Sequence, residues 1–514
     1  MKKLWIYFLS VSLLLTACTG SKETAPAASA ETSETDAVTI ELSDDQILVD
    51  GTTASSNPED AVYTANDIVY YEDGKDFTYG EGDAGDAHSA EEAASHTVVH
   101  ITQAGTYAIS GQMSKGQIAV DLGKDAKENP DAIVTLILNG VDITCTVAPA
   151  VIFYNVYECG SDDAETATKD VDTSAAGANV IIADGSTNAV TGSHVARIYK
   201  PDSVELNEDG TEVLDAKKLH KYDAAFYSKM SMNVNGGDIG SGILNIQADN
   251  EGLDSELHLT INGGNINIVS GNDGINTNED GVSVTTINGG NLTITVTGET
   301  GEGDGIDSNG WLVINGGNVT AVACGSSMDS GIDSDMGIHI NGGTVLATGN
   351  MLDRIEEGSQ THVTFMFAGG QNGEDLHLKS SDEKNDISLG SVANPYSILL
   401  FSSPELTEGD YTLWSGDTQL SAMQGNQMMP GGGMGGGFRP QGIPGNFGEF
   451  DPSAFDPSQM PEFPNGGMNF PGGNQRPQMP EGMEPPAGGF GGGKGPFGEG
   501  GTFPGRDNFA PSKA

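Results

Sequence analysis

The sequence predicts an all-β solenoid, a stack of parallel coils forming a β-helix of about 26–27 residues per coil. Three observations carry that prediction. First, Asn-Gly-Gly closes an apolar-alternating run at Asn235, Asn262, Asn288, Asn315 and Asn341, and this near-constant spacing is the mark of a stacked repeat. Second, two short runs of period-two alternation flank each Gly-Gly, as in Leu257, Leu259, Ile261 and then Ile266, Ile268; this is the pattern of strand, tight bend, strand. Third, no helical pattern intervenes. A repeat of this length made only of strands and turns cannot enclose its apolar side chains alone, but stacked copies bury a continuous core. The architecture expected is therefore a parallel β-helix. Ile261, Ile287, Ile314 and Ile340 share the place just before Asn-Gly-Gly, so they are expected to form one interior column.

The chain opens on an export signal. Met1-Lys2-Lys3 is basic, Leu4 to Leu15 is apolar, and Leu15-Thr16-Ala17-Cys18 forms a lipobox. The apolar run is too short for a spanning helix, so residues 1–17 read as a cleaved signal peptide. The lipobox resembles that of bacterial lipoproteins. That resemblance implies diacylation of Cys18 and an extracytoplasmic place, lipid-anchored to the bacterial cell membrane at the cell surface. Residues 18–40, rich in Ser, Thr, Ala and Glu, are expected as a flexible tether.

Residues 41–420 are assigned to the solenoid. Polar stretches at 158–178 and 201–218 read as loops budding from it rather than as domain boundaries. After Asn350 the period fades, and Thr361 to Gly416 alternates as a capping β segment. Residues 421–514 are dominated by Gly, Pro, Met and Phe, as in Met429-Pro-Gly-Gly-Gly-Met-Gly-Gly-Gly-Phe438. Such a tail orders no packed core and is expected to be disordered. Beyond Cys18, three cysteines remain. Cys145 and Cys159 are a candidate pair, the odd count argues against a disulfide framework, and Cys324 reads as a small core residue.

A second ladder runs through the repeats. Glu251-Gly-Leu-Asp254, Asp273-Gly-Ile-Asn276, Asp304-Gly-Ile-Asp307 and Ser330-Gly-Ile-Asp333-Ser-Asp335 look like equivalent places. Their steps are uneven: the first is short, and the second is lengthened by an insertion around Gly298 to Gly303. In register, each column would repeat at about 4.8 Å, where like charges repel. Residues 231–350 hold 15 Asp or Glu and no Lys or Arg, so the stretch contains no counter-charge of its own. Carboxylate, amide and hydroxyl oxygens so placed suit Ca²⁺. Asp254, Asp273, Asn276, Asp304, Asp307, Asp333 and Asp335 are therefore the candidate metal ligands. The competing reading is that they are solvated turn residues, since Asp-Gly and Asn-Gly favour turns in any case.

Several ordered segments carry a family resemblance. His100-Ile-Thr-Gln-Ala-Gly-Thr-Tyr-Ala-Ile-Ser-Gly111, Gly116-Gln-Ile-Ala-Val-Asp121 and Val134-Thr-Leu-Ile-Leu-Asn-Gly-Val-Asp-Ile-Thr144 resemble the opening coils of the bacterial carbohydrate-binding domain-containing protein family. Asp223-Ala-Ala-Phe-Tyr-Ser-Lys229 with the Asp-Gly-Ile coils resembles its middle, and Ser397 to Leu406 with Tyr411-Thr-Leu-Trp-Ser-Gly416 its end. The resemblance spans about residues 95–420. It implies a calcium-loaded, right-handed parallel β-helix, shaped like pectate lyases, that binds cellulose-type and acidic polysaccharides. Where relatives read Asp-Gly-Ile-Lys-Ser, this chain has Asn276, Asp307 and Asp333, so contacts made by those lysines are not carried over.

Charge narrows the partners. A formal net charge of −51 argues against nucleic acid, which needs a basic footprint. It permits an acidic glycan only if a cation bridges the two surfaces. A lyase would need a base beside the metal, and the regular repeats contain no Lys or Arg. The expectation is a monomeric, non-catalytic polysaccharide binder; a calcium-dependent polysaccharide lyase and a structural or adhesive surface protein are the alternatives. Trp311, opposite in strand parity to Leu312 and Ile314, is the first candidate platform for a sugar ring. Tyr222, Phe226 and Tyr227 form the second.

Overall fold

The Asn-Gly-Gly bend is a close approach of backbones that only glycine permits. In the computed structural model, Gly264, Gly290, Gly317 and Gly343 take φ of 95, 88, 84 and 82°. A Cβ at Gly290 would lie 2.6 Å from the Gly264 carbonyl oxygen, and one at Gly317 would lie 2.8 Å from that of Gly290. The asparagines then stack. Each Nδ2 donates to the Oδ1 of the previous copy, from Asn262 to Asn235 at 2.9 Å, Asn288 to Asn262 at 2.8 Å, Asn315 to Asn288 at 2.9 Å and Asn341 to Asn315 at 2.8 Å. Asn291 and Asn318 continue a parallel row onto Asn265 at 2.8 Å per step.

Strands on either side of the bend pair in parallel with their counterparts one repeat away. Ile261 faces Ile287, Ile287 faces Ile314, and Ile314 faces Ile340, and all four are buried. After the bend, Leu244, Ile266, Leu292, Val319 and Val345 form a second buried column. The expected interior column is thus present residue for residue. It is built by parity, because alternate residues of a strand point to the same side.

The structure describes residues 37–422, apart from 383 and 408, and the strand Gln427–Met429. Over these residues the chain is nearly all-β, and its sheets are mixed. The largest sheet holds 20 strands. It is parallel through the repeats and antiparallel at its ends, where Val38–Leu42 meets Leu48–Val49 and Thr344–Gly349 meets Tyr396–Ser402. A second sheet of 7 strands runs from Ile275–Thr277 through Glu251–Ser255, Ala224–Ser228 and Val151–Asn155 to Gly116–Asp121, Thr97–Ile101 and Val62–Ala65. The strands Leu376–Ser380, Asp386–Gly390, Tyr411–Ser415 and Thr418–Gln419 make an antiparallel sheet in the segment read as a cap. The helical elements described are the short helix Ala90–Ala94, capped by Ser89, and the 3-10 turn Lys124–Glu128. Among the described residues no helix is long and apolar enough to cross a membrane.

Some expectations need correction. The span assigned to the tether reaches residue 40, yet Val38–Leu42 is a strand, parallel to Gly105–Met113. Its alternating Val38, Ile40 and Leu42 turn to one side, a pattern too short to stand out beside the polar residues before it. Gln427–Met429, inside the span assigned to a disordered tail, pairs antiparallel with His362–Thr364. Cys145, Cys159 and Cys324 are all free, which answers in the negative the question, open in the sequence, of whether Cys145 and Cys159 pair. The signal peptide, Cys18, most of the tether and the rest of the tail lie outside the described residues.

Candidate functional site

The Asp-Gly-Ile segments continue the 7-stranded sheet. Leu253 faces Ile275, and isolated parallel bridges carry the same line to Ile306 and Ile332. Reading outward from these buried residues fixes two columns. Asp254, Asn276, Asp307 and Asp333 stand one place after the apolar line, and Glu251, Asp273, Asp304 and Ser330 stand two places before it. The uneven steps between copies are absorbed by the connecting bends, so the first copy is in register with the rest. Next along each copy come Ser255, Thr277, Ser308 and Ser334, all buried; Thr277 Oγ1 and Ser308 Oγ are 2.9 Å apart.

Backbone amides of one repeat donate to carboxylates of the preceding one. Asp304 N–H donates to Asp273 Oδ1 at 2.7 Å and Ser330 N–H to Asp304 Oδ1 at 2.5 Å. Asn276 Nδ2 donates to Glu251 Oε1 at 3.2 Å, and Asn278 Nδ2 to both Asp254 oxygens at 2.9 and 3.0 Å. These bonds do not use every oxygen. Glu251 Oε2, Asn276 Oδ1 and Asp333 Oδ1 are buried without a hydrogen-bond partner, a costly state for a polar atom.

Burial and mutual repulsion hold these carboxyls above the usual range. Asp304 is pushed up to about 8, Asp307 to about 6 and Asp333 to about 7, by desolvation first and by neighbouring acids besides. Desolvation and the Glu251 carboxylate raise Asp254 and Asp273 well above the ordinary value. Asp335 is exposed at the outer edge, following Asn278 and Asn309, and desolvation raises it as well. Among the described residues no group of three or more His, Cys, Asp or Glu side chains is gathered into a metal cluster. The columns instead distribute oxygens from carboxylates, amides and hydroxyls along a line. That donor set, with three orphaned oxygens in it, fits a hard cation such as Ca²⁺ and not a soft one.

One cation outside residues 231–350 reaches the first rung. Lys221 pairs with the buried Asp223. Burial raises Glu251 and Asp254, and the Lys221 charge draws both shifts down. Its position follows from the edge strand Lys218–Tyr222, in a part of the chain that has no repeat to align it.

The two aromatic candidates separate. Trp311 is half-buried on the strand Trp311–Ile314, in line with Val284 and Gly337. It belongs to the large sheet, whereas the acid columns continue the 7-stranded one. Tyr222, Phe226 and Tyr227 are 6, 0 and 1% exposed, so they offer no ring face to a glycan. Phe226 and Tyr227 lie on the central strand Ala224–Ser228, flanked in parallel by Val151–Asn155 and Glu251–Ser255. Tyr222 packs edge-on against Tyr154 and Tyr227 at centroid distances of 5.4 and 5.3 Å, and the Tyr227 hydroxyl donates to Glu256.

Comparison with known proteins gives a family match. The model of the carbohydrate-binding domain-containing protein family matches residues 95–373. Among solved structures, the chain is similar to a polysaccharide lyase-like protein from C. thermocellum, studied as a gadolinium derivative. The two share 21% identity, the match covers 60% of this chain and 90% of that one, and the TM-score is 0.35. No curated protein matches the chain.

Proposed function

The chain belongs to the carbohydrate-binding domain-containing protein family, and on that premise we propose that it binds polysaccharide at the bacterial cell surface through Ca²⁺ held along its acid columns. The fold we propose is a right-handed parallel β-helix whose coils are the parallel ladders between Met232 and Gly349. The observation that carries the reading is the stacking of half-buried and buried carboxyls in register, with unpartnered oxygens on Glu251, Asn276 and Asp333. A bound cation offsets both the desolvation and the repulsion that raise these groups.

Asp254, Asp273 and Asn276 are the ligands proposed for the first two rungs, and Asp304, Asp307, Asp333 and Asp335 for the last two. Ca²⁺ takes roughly six to eight oxygens, so positions left unfilled by the protein admit water or a glycan carboxylate. Trp311, half-exposed on the adjoining sheet, is the proposed stacking contact. Diacylation of Cys18 would tether the monomer to the membrane. Catalysis is not part of the proposal: Lys221, at the first rung, is engaged by Asp223, and Arg354, at the far end, by Glu356, so neither stands free as a base for a lyase.

The test is hexagalacturonate binding by calorimetry, with calcium and with chelator, alongside metal analysis of the purified protein. Calcium-dependent binding that Asp304→Asn and Asp307→Asn abolish together with bound calcium is the expected result. Unchanged binding in chelator rejects the metal bridge. Unsaturated uronate products accumulating during the titration would establish the lyase instead.

A further inference from the structure

A cavity of about 790 Å³ opens between the segment around 68–79 and the hairpin formed by Val195–Tyr199 and Lys218–Tyr222. It lies in a part of the chain without Asn-Gly-Gly repeats, and the acid-column residues are not among its walls. We propose that this cavity is a second glycan site, one that takes a neutral oligosaccharide without calcium. The proposal rests on the family's carbohydrate binding but not on the metal-bridged site.

The walls combine three tyrosines, Tyr70, Tyr79 and Tyr199, with Ile198, Leu219 and His220. Tyrosine rings offer flat apolar faces to the C–H face of a pyranose, and a phenolic hydroxyl can pair with its polar edge; the Tyr79 hydroxyl already engages the Glu72 backbone. Two of these rings, Tyr79 and His220, are braced before any ligand arrives. Tyr79 packs edge-on against Tyr71 at 5.0 Å, and His220 stacks on Tyr222 at 5.0 Å and 11°. Loop and hairpin are stitched by Tyr199 N–H to the Tyr79 carbonyl and Glu81 N–H to the Arg197 carbonyl, both 2.8 Å. Glu81 also pairs with Arg197 at 3.1 Å and Lys218 at 2.9 Å, one on each strand of the hairpin. The volume falls within the roughly 300–1,000 Å³ of small-molecule sites, which are typically preformed.

Charge selects the class of sugar. Lys75, a lining residue, is paired with Glu72 at 2.7 Å and lies over the Tyr79 ring. That leaves Asp76 and Asp202 as the net charge of the lining. Two carboxylates accept hydrogen bonds from hydroxyls but repel a uronate. Asp76 already accepts from Thr78 N–H and Oγ1 at Oδ1, 2.9 and 2.6 Å away, so its carboxylate is held in place. The acid columns, which need a cation, and this cavity, which needs none, therefore sort glycans by charge.

The full-length protein titrated with cellohexaose, xylohexaose and mannohexaose, in calcium and in chelator, tests this, with hexagalacturonate as the acidic control. At least one neutral hexamer should bind, with a Kd that chelator changes less than about twofold. Tyr79→Ala and Tyr199→Ala should each weaken it by ~10-fold or more, the scale of a truncated aromatic anchor, while hexagalacturonate affinity is retained. Hydrogen exchange on the unmutated protein supplies a readout independent of the variants' folding: the neutral hexamer should protect 68–79 and 197–220. Absence of any neutral binding, loss of it in chelator, or protection confined to 251–335 overturns the proposal. Calcium-dependent hexagalacturonate binding is read separately, so either site can fail alone.

Discussion

Residues 231–350 and the irregular segments on their N-terminal side carry charge in opposite ways. The repeats hold 15 acids and no Lys or Arg, whereas residues 196–229 alone hold Arg197, Lys200, Lys217, Lys218, Lys221 and Lys229. In the repeats, acids stack on acids, and backbone amides and Asn side chains satisfy part of their oxygens. In the hairpin region, acids find cations, as Glu81 finds Arg197 and Lys218 and Asp223 finds Lys221. The contrast follows from register. A parallel ladder puts like residue over like, so any charge it repeats meets itself, and the cost is relieved by protons, by an outside ion or, at the first rung, by Lys221 from beyond the ladder. A segment that never repeats is free to pair opposite charges within the chain.

The largest expected effect tests the stacking itself. Ile314→Ala removes a fully buried side chain from the middle of a column whose neighbours are Ile287 and Ile340, and it should cost about 2–5 kcal/mol as a partly collapsed cavity. Denaturant melts measure it. A loss below ~1 kcal/mol would mean that the column is not the core of the repeats.

Calcium should act on the repeats and spare the hairpin. Saturation at a hundredfold excess over Kd should add about 2.7 kcal/mol of stability per independent site. The pH dependence has a definite sign. Asp304, Asp307 and Asp333, at about 8, 6 and 7 in the metal-free fold, bind protons more tightly folded than unfolded. In chelator their contribution is complete below about pH 4 and is lost as pH rises through about 6 to 8. The calcium-dependent rise in melting temperature should therefore be larger at pH 8 than at pH 5. Equal shifts at both pH values would show that these acids do not hold the ion.

His194 provides a smaller effect of known direction. Its ring joins Asp86 at 3.0 Å and Asp249 at 3.3 Å. Burial opposes its protonation, but the two carboxylates together outweigh burial and raise its pKa. The raised value means that the protonated ring stabilises the fold fully below about pH 6.5 and that this is lost as pH rises through the folded value. His194→Gln should remove about 1 kcal/mol at pH 5.5 and less at pH 8.5. A difference independent of pH would assign the residue a packing role only. Smallest is Asn288→Ala, which deletes the bonds to Asn262 and from Asn315. On an exposed row this should cost roughly 0.5 kcal/mol, and calcium binding should stay intact.

Much of the repeat region was legible because its period is short and each copy reports on the next. The isoleucine column and the equivalence of the Asp-Gly-Ile segments were both readable, whereas the first copy, with its short step, was put in register by the structure. The buried state of Tyr222, Phe226 and Tyr227 was not. Ala224–Ser228 is covered by neighbours distant in the chain in either direction, Val151–Asn155 and Glu251–Ser255. Alternation within so short a strand does not reveal that it is enclosed on both sides. For a related reason the sequence leaves open whether Cys145 and Cys159 pair. Closeness along the chain says nothing of distance in space once the chain leaves the strand Val151–Asn155 for the long loop that returns at Ala178.

By itself the sequence determined the all-β class, the interior column and the concentration of uncompensated acid between residues 231 and 350. Each of these is a property of period and composition, which local residues fix. Only the tertiary structure decided which oxygens of the acid columns are left unpartnered, that Lys221 reaches the first rung, and that the segment around 68–79 closes a cavity with a hairpin far along the chain. Those features depend on where non-repeating chain returns in space, and no periodic signal encodes that return.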